Sequence, residues 1–190
     1  MAIKHNCTLE TIVDFTSIPS PAVEDVLQRS LQTGRLTQSG DTFILTALAR
    51  VALSGRYSFY YQDLRTDRAF TRAYEQFEHI NIVLKQIVTD WQTISIQGDR
   101  FANRHDDKDY DDRIIERLGN LHDKVSPILS AFTKTISRFS SYETKLLRAL
   151  ELIESGDLAW FSDIRRESYH TIWFEMHEDI LRVMGRERQE

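Results

Sequence analysis

Along residues 68–91 apolar side chains recur at the spacing of a single helix face: Phe70, Ala73, Tyr74, Phe77, Ile80, Leu84, Ile87, Val88 and Trp91. Neither glycine nor proline interrupts the stretch. A strand returns to one face every second residue and a helix every 3.6, so the spacing predicts a long helix over 68–91. Asp67 is its natural N-cap. Such a helix gains most of its stability by burying its stripe against other helices. The remaining sequence fits that demand, because only seven glycines and three prolines occur in 190 residues.

The other segments can be read from caps and breakers. Residues 9–17 predict a short helix capped by Thr8, broken by "IPSP". Ser20 as N-cap and Pro21 at the first helical position predict a second helix over 21–33, closed by Gly34. Val23, Val26, Leu27, Ser30 and Leu31 share one of its faces. "RLTQSGDTFILT" predicts two short strands around Ser39-Gly40-Asp41, and a helix starts near Thr46. From Gly55 onward the pattern predicts helices joined by polar loops, one loop being "TISIQGDRFANRHDDKD". A helix over 109–137 is expected to kink or split at Ser126-Pro127. A capping box of Ser140 and Glu143 opens a helix that Gly156 stops. The last helix covers about 165–184 and stops near Gly185.

Helix, turn, helix, two-stranded wing, helix is the order of a winged helix-turn-helix. The usual first helix of that fold has no counterpart before Thr8. The expected class is therefore mainly α: a reduced winged helix with two short strands over 1–55, then a bundle of about five helices over 56–190.

A net charge of −5 provides no overall basic footprint for nucleic acid. Cys7 is the only cysteine, so an intramolecular disulfide and a cysteine-rich zinc site are excluded. No secretory leader pattern or membrane-length apolar run occurs, which makes the cytoplasm the expected location. In a DNA-reading winged helix the second helix would present Ser20, Ala22, Asp25, Gln28 and Arg29 to the groove. Residues 1–60 balance five Lys/Arg against five acids, whereas DNA affinity rests on neutralising phosphates. Two readings stay open: contact with duplex DNA as a dimer, or a fold used for packing and partner contact.

The tempting chemical sites fail on spacing. If Asp107, Asp109 and Asp111 opened a calcium loop, Asp112 would stand where glycine is needed and Leu118 where a bidentate glutamate is needed. A solvated helix start rich in Asp is the plainer reading. His170 and His177 lie seven apart, too far along a helix to share an ion, and zinc helices use a spacing of four. Glu167-x-x-His170 is half of a di-iron motif, but its partner copy would need an acid at Gly119. Phosphate-cradling loops, nucleophile elbows and Cys/His nucleophile patterns are absent. No catalytic residue, metal or cofactor is therefore expected. On the last helix, Tyr169, Ile172, Trp173, Met176, Ile180, Val183 and Met184 form one apolar stripe, and His170, Phe174, His177 and Leu181 a second. Its carboxylates are expected to face solvent. Asn81 falls within the 68–91 stripe and needs a buried hydrogen-bond partner, either on another helix or in a pocket. If a pocket or interface forms, its expected residues are Asn81, Trp91, Asn103, His105, His170, Trp173 and His177.

"TDWQ" at 89–92, "NRHDDKDYD" at 103–111, "RLGNLHDKVSPIL" at 117–129 and "SYHTIWFEMHEDIL" at 168–181 occur in that order. They resemble a group of bacterial, mainly actinobacterial, proteins that carry a winged-helix segment before a helical domain. Similar segments end some pyruvate phosphate dikinase-like, phosphoenolpyruvate-utilising polypeptides, or stand alone under a MarR-like label. The resemblance is best over 80–185. It departs where the group has Asn-Asp-His and this chain has Asn103-Arg104-His105. It implies no activity. The expected function is a non-catalytic regulatory or interaction protein, transcription-regulator-like, whose helical domain dimerises or senses a small-molecule effector. Its expected partners are a second copy and duplex DNA. The alternatives are an interaction domain serving a phosphoenolpyruvate-utilising enzyme without DNA binding, and an unrecognised enzyme or metal protein.

Overall fold

The computed structural model describes residues 3, 6–16, 18–96 and 98–187, with Ile96 described by its backbone alone. Two compact units make up the chain, Met1–Asp67 with His177–Glu190, and Arg68–Met176. The architecture is mainly α-helical, a reduced winged helix and a helical bundle. Among the described residues no helix is long and apolar enough to cross a membrane.

The first unit runs β1 (Asn6–Thr8), α1 (Leu9–Thr16), α2 (Ser20–Gln32), β2 (Leu36–Ser39), β3 (Thr42–Leu45) and α3 (Ala47–Tyr60). Its antiparallel sheet has the order β1-β3-β2, with Cys7 opposite Phe43 and Thr37 opposite Ile44. Strand β1 is an addition to the expected pair, and three residues are too few for any periodicity to show. Thr8 does cap α1, its hydroxyl accepting from the Thr11 N–H at 3.2 Å. Ser20 is not a cap. It is the first helical residue, and its hydroxyl donates to Glu24 at 2.8 Å. Gly34, at φ 65°, closes α2: the Arg35 N–H reaches the Ser30 carbonyl and the Gly34 N–H that of Leu31. This left-handed closure turns the chain so that Leu36 enters the sheet facing inward. Val23, Leu27, Leu36 and Phe43 form the buried core, flanked by Leu9, Ile12, Val13, Leu31 and Leu45. Thr46 caps α3, which runs on through Gly55.

The second unit contains α4 (Arg68–Gln92), β4 (Thr93–Ile96), β5 (Asp99–Ala102), α5 (Lys108–Thr135), α6 (Phe139–Glu154), α7 (Ala159–Ser162) and the start of α8 (Tyr169–Met184). The α4 stripe is buried as its spacing predicts, with Ile80 half-buried. Phe132 is fully buried, its ring 5.2 Å from that of Phe70, 6.2 Å from Phe77 and 5.7 Å from Phe139.

Three expectations need correction here. Thr93–Ile96 and Asp99–Ala102, expected as loop, pair as the antiparallel strands β4 and β5, with Ile94 opposite Phe101. The alternation in "TISI" ahead of a glycine was the available signal. Of the two outcomes expected at Ser126-Pro127, the split is overturned, since helix α5 continues through Pro127 without dividing. Residues 140–143 are not a capping box, because α6 begins at Phe139. Glu143 instead accepts from Ser130 at 2.7 Å and Thr133 at 3.3 Å, both on α5. Tertiary partners have outcompeted the local cap.

His122 of α5 is buried, with Nδ1 at 3.2 Å from the Tyr169 hydroxyl. Burial pushes the His122 pKa below its usual value, against weaker opposing effects of Asp123, Glu154 and Glu143. Burial likewise pushes Tyr169 well up, so its hydroxyl stays protonated beside the neutral imidazole. An unfolded histidine takes up a proton near pH 6.5, which the folded His122 resists. Its contribution is thus fully present above that pH and is lost as the pH falls. Urea unfolding at about pH 7 and about pH 5 should show His122→Gln losing less stability on acidification than the wild type. Equal losses would refute this.

Candidate functional site

The clearest polar constellation forms where α4 ends, the hairpin returns and α5 begins. Asp107 caps α5, accepting from the Tyr110 N–H at 3.0 Å. Asp111, one turn on, therefore points inward and is 4% exposed. A carboxylate so buried must be paired or hydrogen-bonded. Both its oxygens are engaged, Oδ1 by Asn103 Nδ2 at 2.9 Å and Oδ2 by His105 Nδ1 at 3.0 Å.

Asn103 acts as the hub. Its backbone N–H donates to the Gln92 carbonyl at 2.9 Å, continuing the hairpin. Its amide nitrogen also donates to the Trp91 carbonyl at 3.0 Å, and its Oδ1 accepts from the His105 N–H at 3.0 Å. Both amide hydrogens are then committed, to Trp91 and Asp111. Hence the 3.3 Å approach of Asn103 Nδ2 to His105 Nδ1 is not a donated bond. His105 Nδ1 carries the proton given to Asp111. This leaves Nε2, the other ring nitrogen, without a hydrogen-bond partner among the described residues.

His105 stands at φ 57°, the one left-handed residue other than glycine among the described residues. That conformation is strained, and strain of this kind gathers where a side chain must be aimed. The ring lies on Trp91, centroids 4.3 Å apart, and Trp91 stacks on Phe161 at 4.0 Å. Tyr110 ties the same corner together, its hydroxyl directed at the carbonyls of Asp90 (3.0 Å) and Thr93 (3.2 Å). Burial, then the Asp90 charge, raises the Tyr110 pKa, which keeps it a donor.

His105 borders a cleft of about 540 Å³. Ile115, Ile153 and Leu158 supply an apolar wall. Glu116 and Glu154 stand at the cleft beside the Lys108–Asp112 ion pair, whose hydrogen bond raises the Lys108 pKa. Chemically, the site offers one fixed imidazole, its Nε2 without a partner among the described residues, beside an apolar surface. No hydroxyl or thiol is hydrogen-bonded to His105 among the described residues, so no activated side-chain nucleophile is assembled. No set of three His, Cys, Asp or Glu side chains converges as a metal site among those residues either.

The seven residues expected at a pocket or interface fall into separate groups. Trp91, Asn103 and His105 come together, and of the seven only His105 lines the cleft. Asn81 and Trp173 form their own buried pair, the indole N–H donating to Asn81 Oδ1 at 3.0 Å. Trp173 stacks on Phe77 at 5.0 Å. His170 is half-buried and His177 is buried. The second stripe of α8 is thus covered at His177 and Leu181 and open at Phe174, which is 49% exposed. Asp179 corrects the expectation that the α8 carboxylates face solvent, being wholly buried. Asp111 corrects the solvated helix start. It continues the buried α5 series Ile114, Leu118, Leu121 and Val125 one turn back, and that spacing was the signal that could have found it.

On α2, Ala22, Asp25, Gln28 and Arg29 are exposed and Ser20 is half-buried. Arg29 is held by Asp25 at 2.6 Å. Comparison with family models, curated proteins and solved structures finds no match to this chain.

Proposed function

We propose that the chain is a non-catalytic regulatory protein. Its helical unit senses a small ligand beside His105, and its winged helix contacts a macromolecular partner. The network that aims His105 at an apolar-walled cleft carries this reading. A buried carboxylate, an amide with every hydrogen placed and a strained backbone fix one imidazole, more than a surface loop requires. A fitting ligand has a hydrogen-bonding group for Nε2 and an apolar part for Ile115, Ile153 and Leu158.

The partner favoured by the charges is a protein. The exposed α2 face carries Glu24 and Asp25 against Arg29 alone, and Arg29 is already tied to Asp25. The wing tip adds Asp41. Phosphates need free cations, which that face lacks. Random duplex DNA at low salt should therefore give no mobility shift. A salt-sensitive shift would replace this reading with the DNA-reading one. The sensing part is tested by nuclear magnetic resonance: a metabolite mixture should move the His105 ring signals in the wild type. If none of a broad set moves them, the cleft is not a sensor.

The Asp111–His105 pairing also favours a second reading, in which His105 moves a proton on a bound substrate. Turnover of a cleft ligand that disappears in His105→Gln, with binding retained, would establish it.

A further inference from the structure

Helix α3 has two apolar faces, and its own chain uses one. Ala49 is buried, and Leu53 and Tyr57 are half-buried on the same side. At 100° per residue, Leu48, Val51, Ala52, Gly55 and Phe59 share the opposite side within about 100°. All five are exposed, Leu48 at 72%, Val51 at 73% and Phe59 at 69%.

Gly55 sits in mid-helix, where glycine is less stable than alanine. Nothing among the described residues explains it: its φ is ordinary, and an added Cβ would meet none of their atoms within 4 Å. A glycine on an apolar helix face has a use when a second helix backbone must come close.

The order of sizes identifies that helix. About a midpoint between Leu53 and Ser54 the stripe reads large, small, small, large: Leu48, Ala52, Gly55, Phe59. A two-fold axis there places Leu48 of one copy on Phe59 of the other, and Ala52 on Gly55, twice over. An isologous interface requires this reciprocity. The five residues offer roughly 500 Å² per copy, about 1,000 Å² per pair, the lower bound for a specific interface. A patch of this size matches the largest found on a typical monomer, and such patches are often functional.

We propose that this face of α3 is the interface of an antiparallel homodimer. It deepens the interaction part of the function proposed above, and its outcome is independent of the ligand and DNA experiments. Sedimentation of the full chain should show reversible, concentration-dependent dimerisation. Gly55→Leu should weaken it at least about tenfold, yet at concentrations low enough for both chains to be monomeric its unfolding temperature should be unchanged or raised, since leucine favours helix and the site is open. Leu48→Lys or Phe59→Glu alone should each yield monomers. The double variant Leu48→Lys/Phe59→Glu should recover the dimer, because an antiparallel pair brings the two positions together twice. A wild type that stays monomeric at every concentration overturns the proposal. So does a dimer indifferent to Gly55→Leu, or a double variant as monomeric as the singles.

Discussion

Phe132→Ala is expected to lower the unfolding free energy by about 3–5 kcal/mol. The ring is wholly buried on α5 and meets Phe70 and Phe77 of α4 and Phe139 of α6. Truncation removes apolar burial and leaves a cavity between three helices. Aromatic pairing is lost as well, typically about 0.5–1.5 kcal/mol per pair. Phe132→Leu keeps most of the volume and should cost under about half as much. Urea unfolding of both variants decides it. A loss under about 1 kcal/mol for alanine would mean that the three helices do not converge on this ring.

The second large effect is expected at His105. His105→Ala leaves Asp111 buried with Asn103 as its only partner, and should cost about 3 kcal/mol. Alanine also tolerates the left-handed backbone poorly, by about 1 kcal/mol. His105→Gly removes that strain and should lose less. His105→Asn should lose least, because asparagine accepts positive φ and brings an amide donor towards Asp111. The order of stability expected is therefore histidine, asparagine, glycine, alanine. If alanine matches the wild type, Asp111 has found water and the network does not hold the corner together. The same series separates stability from sensing: His105→Asn should fold well yet lose the aimed imidazole, and with it the ligand response.

Much of the helical order was legible because its causes are local. Phe70 to Trp91 declare α4 by spacing, Thr8, Thr46 and Asp107 declare helix starts, and Gly34 declares an end. The winged-helix order followed from the same signs. Of the polar corner, Trp91, Asn103 and His105 could be suspected as residue types, but not joined to one another. Asn81 could be placed on a buried face, and its need for a partner inferred. Trp173, 92 residues away, could not be assigned as that partner.

Local periodicity, capping and breakers thus determined, from sequence alone, that this chain forms helices and where most begin and end. Tertiary structure alone decided which competing interaction each polar group made. Glu143 could have capped its own helix, yet two α5 hydroxyls outside that turn claimed it. Asp111 could have faced solvent, yet α5 packs it inward, where Asn103 and His105 satisfy it. Strand β1 is too short to announce itself and exists through its pairing with β3. The physical reason is common to all three. A hydrogen bond to a distant partner is indifferent to sequence spacing, and only the packed fold makes it cheaper than the local alternative.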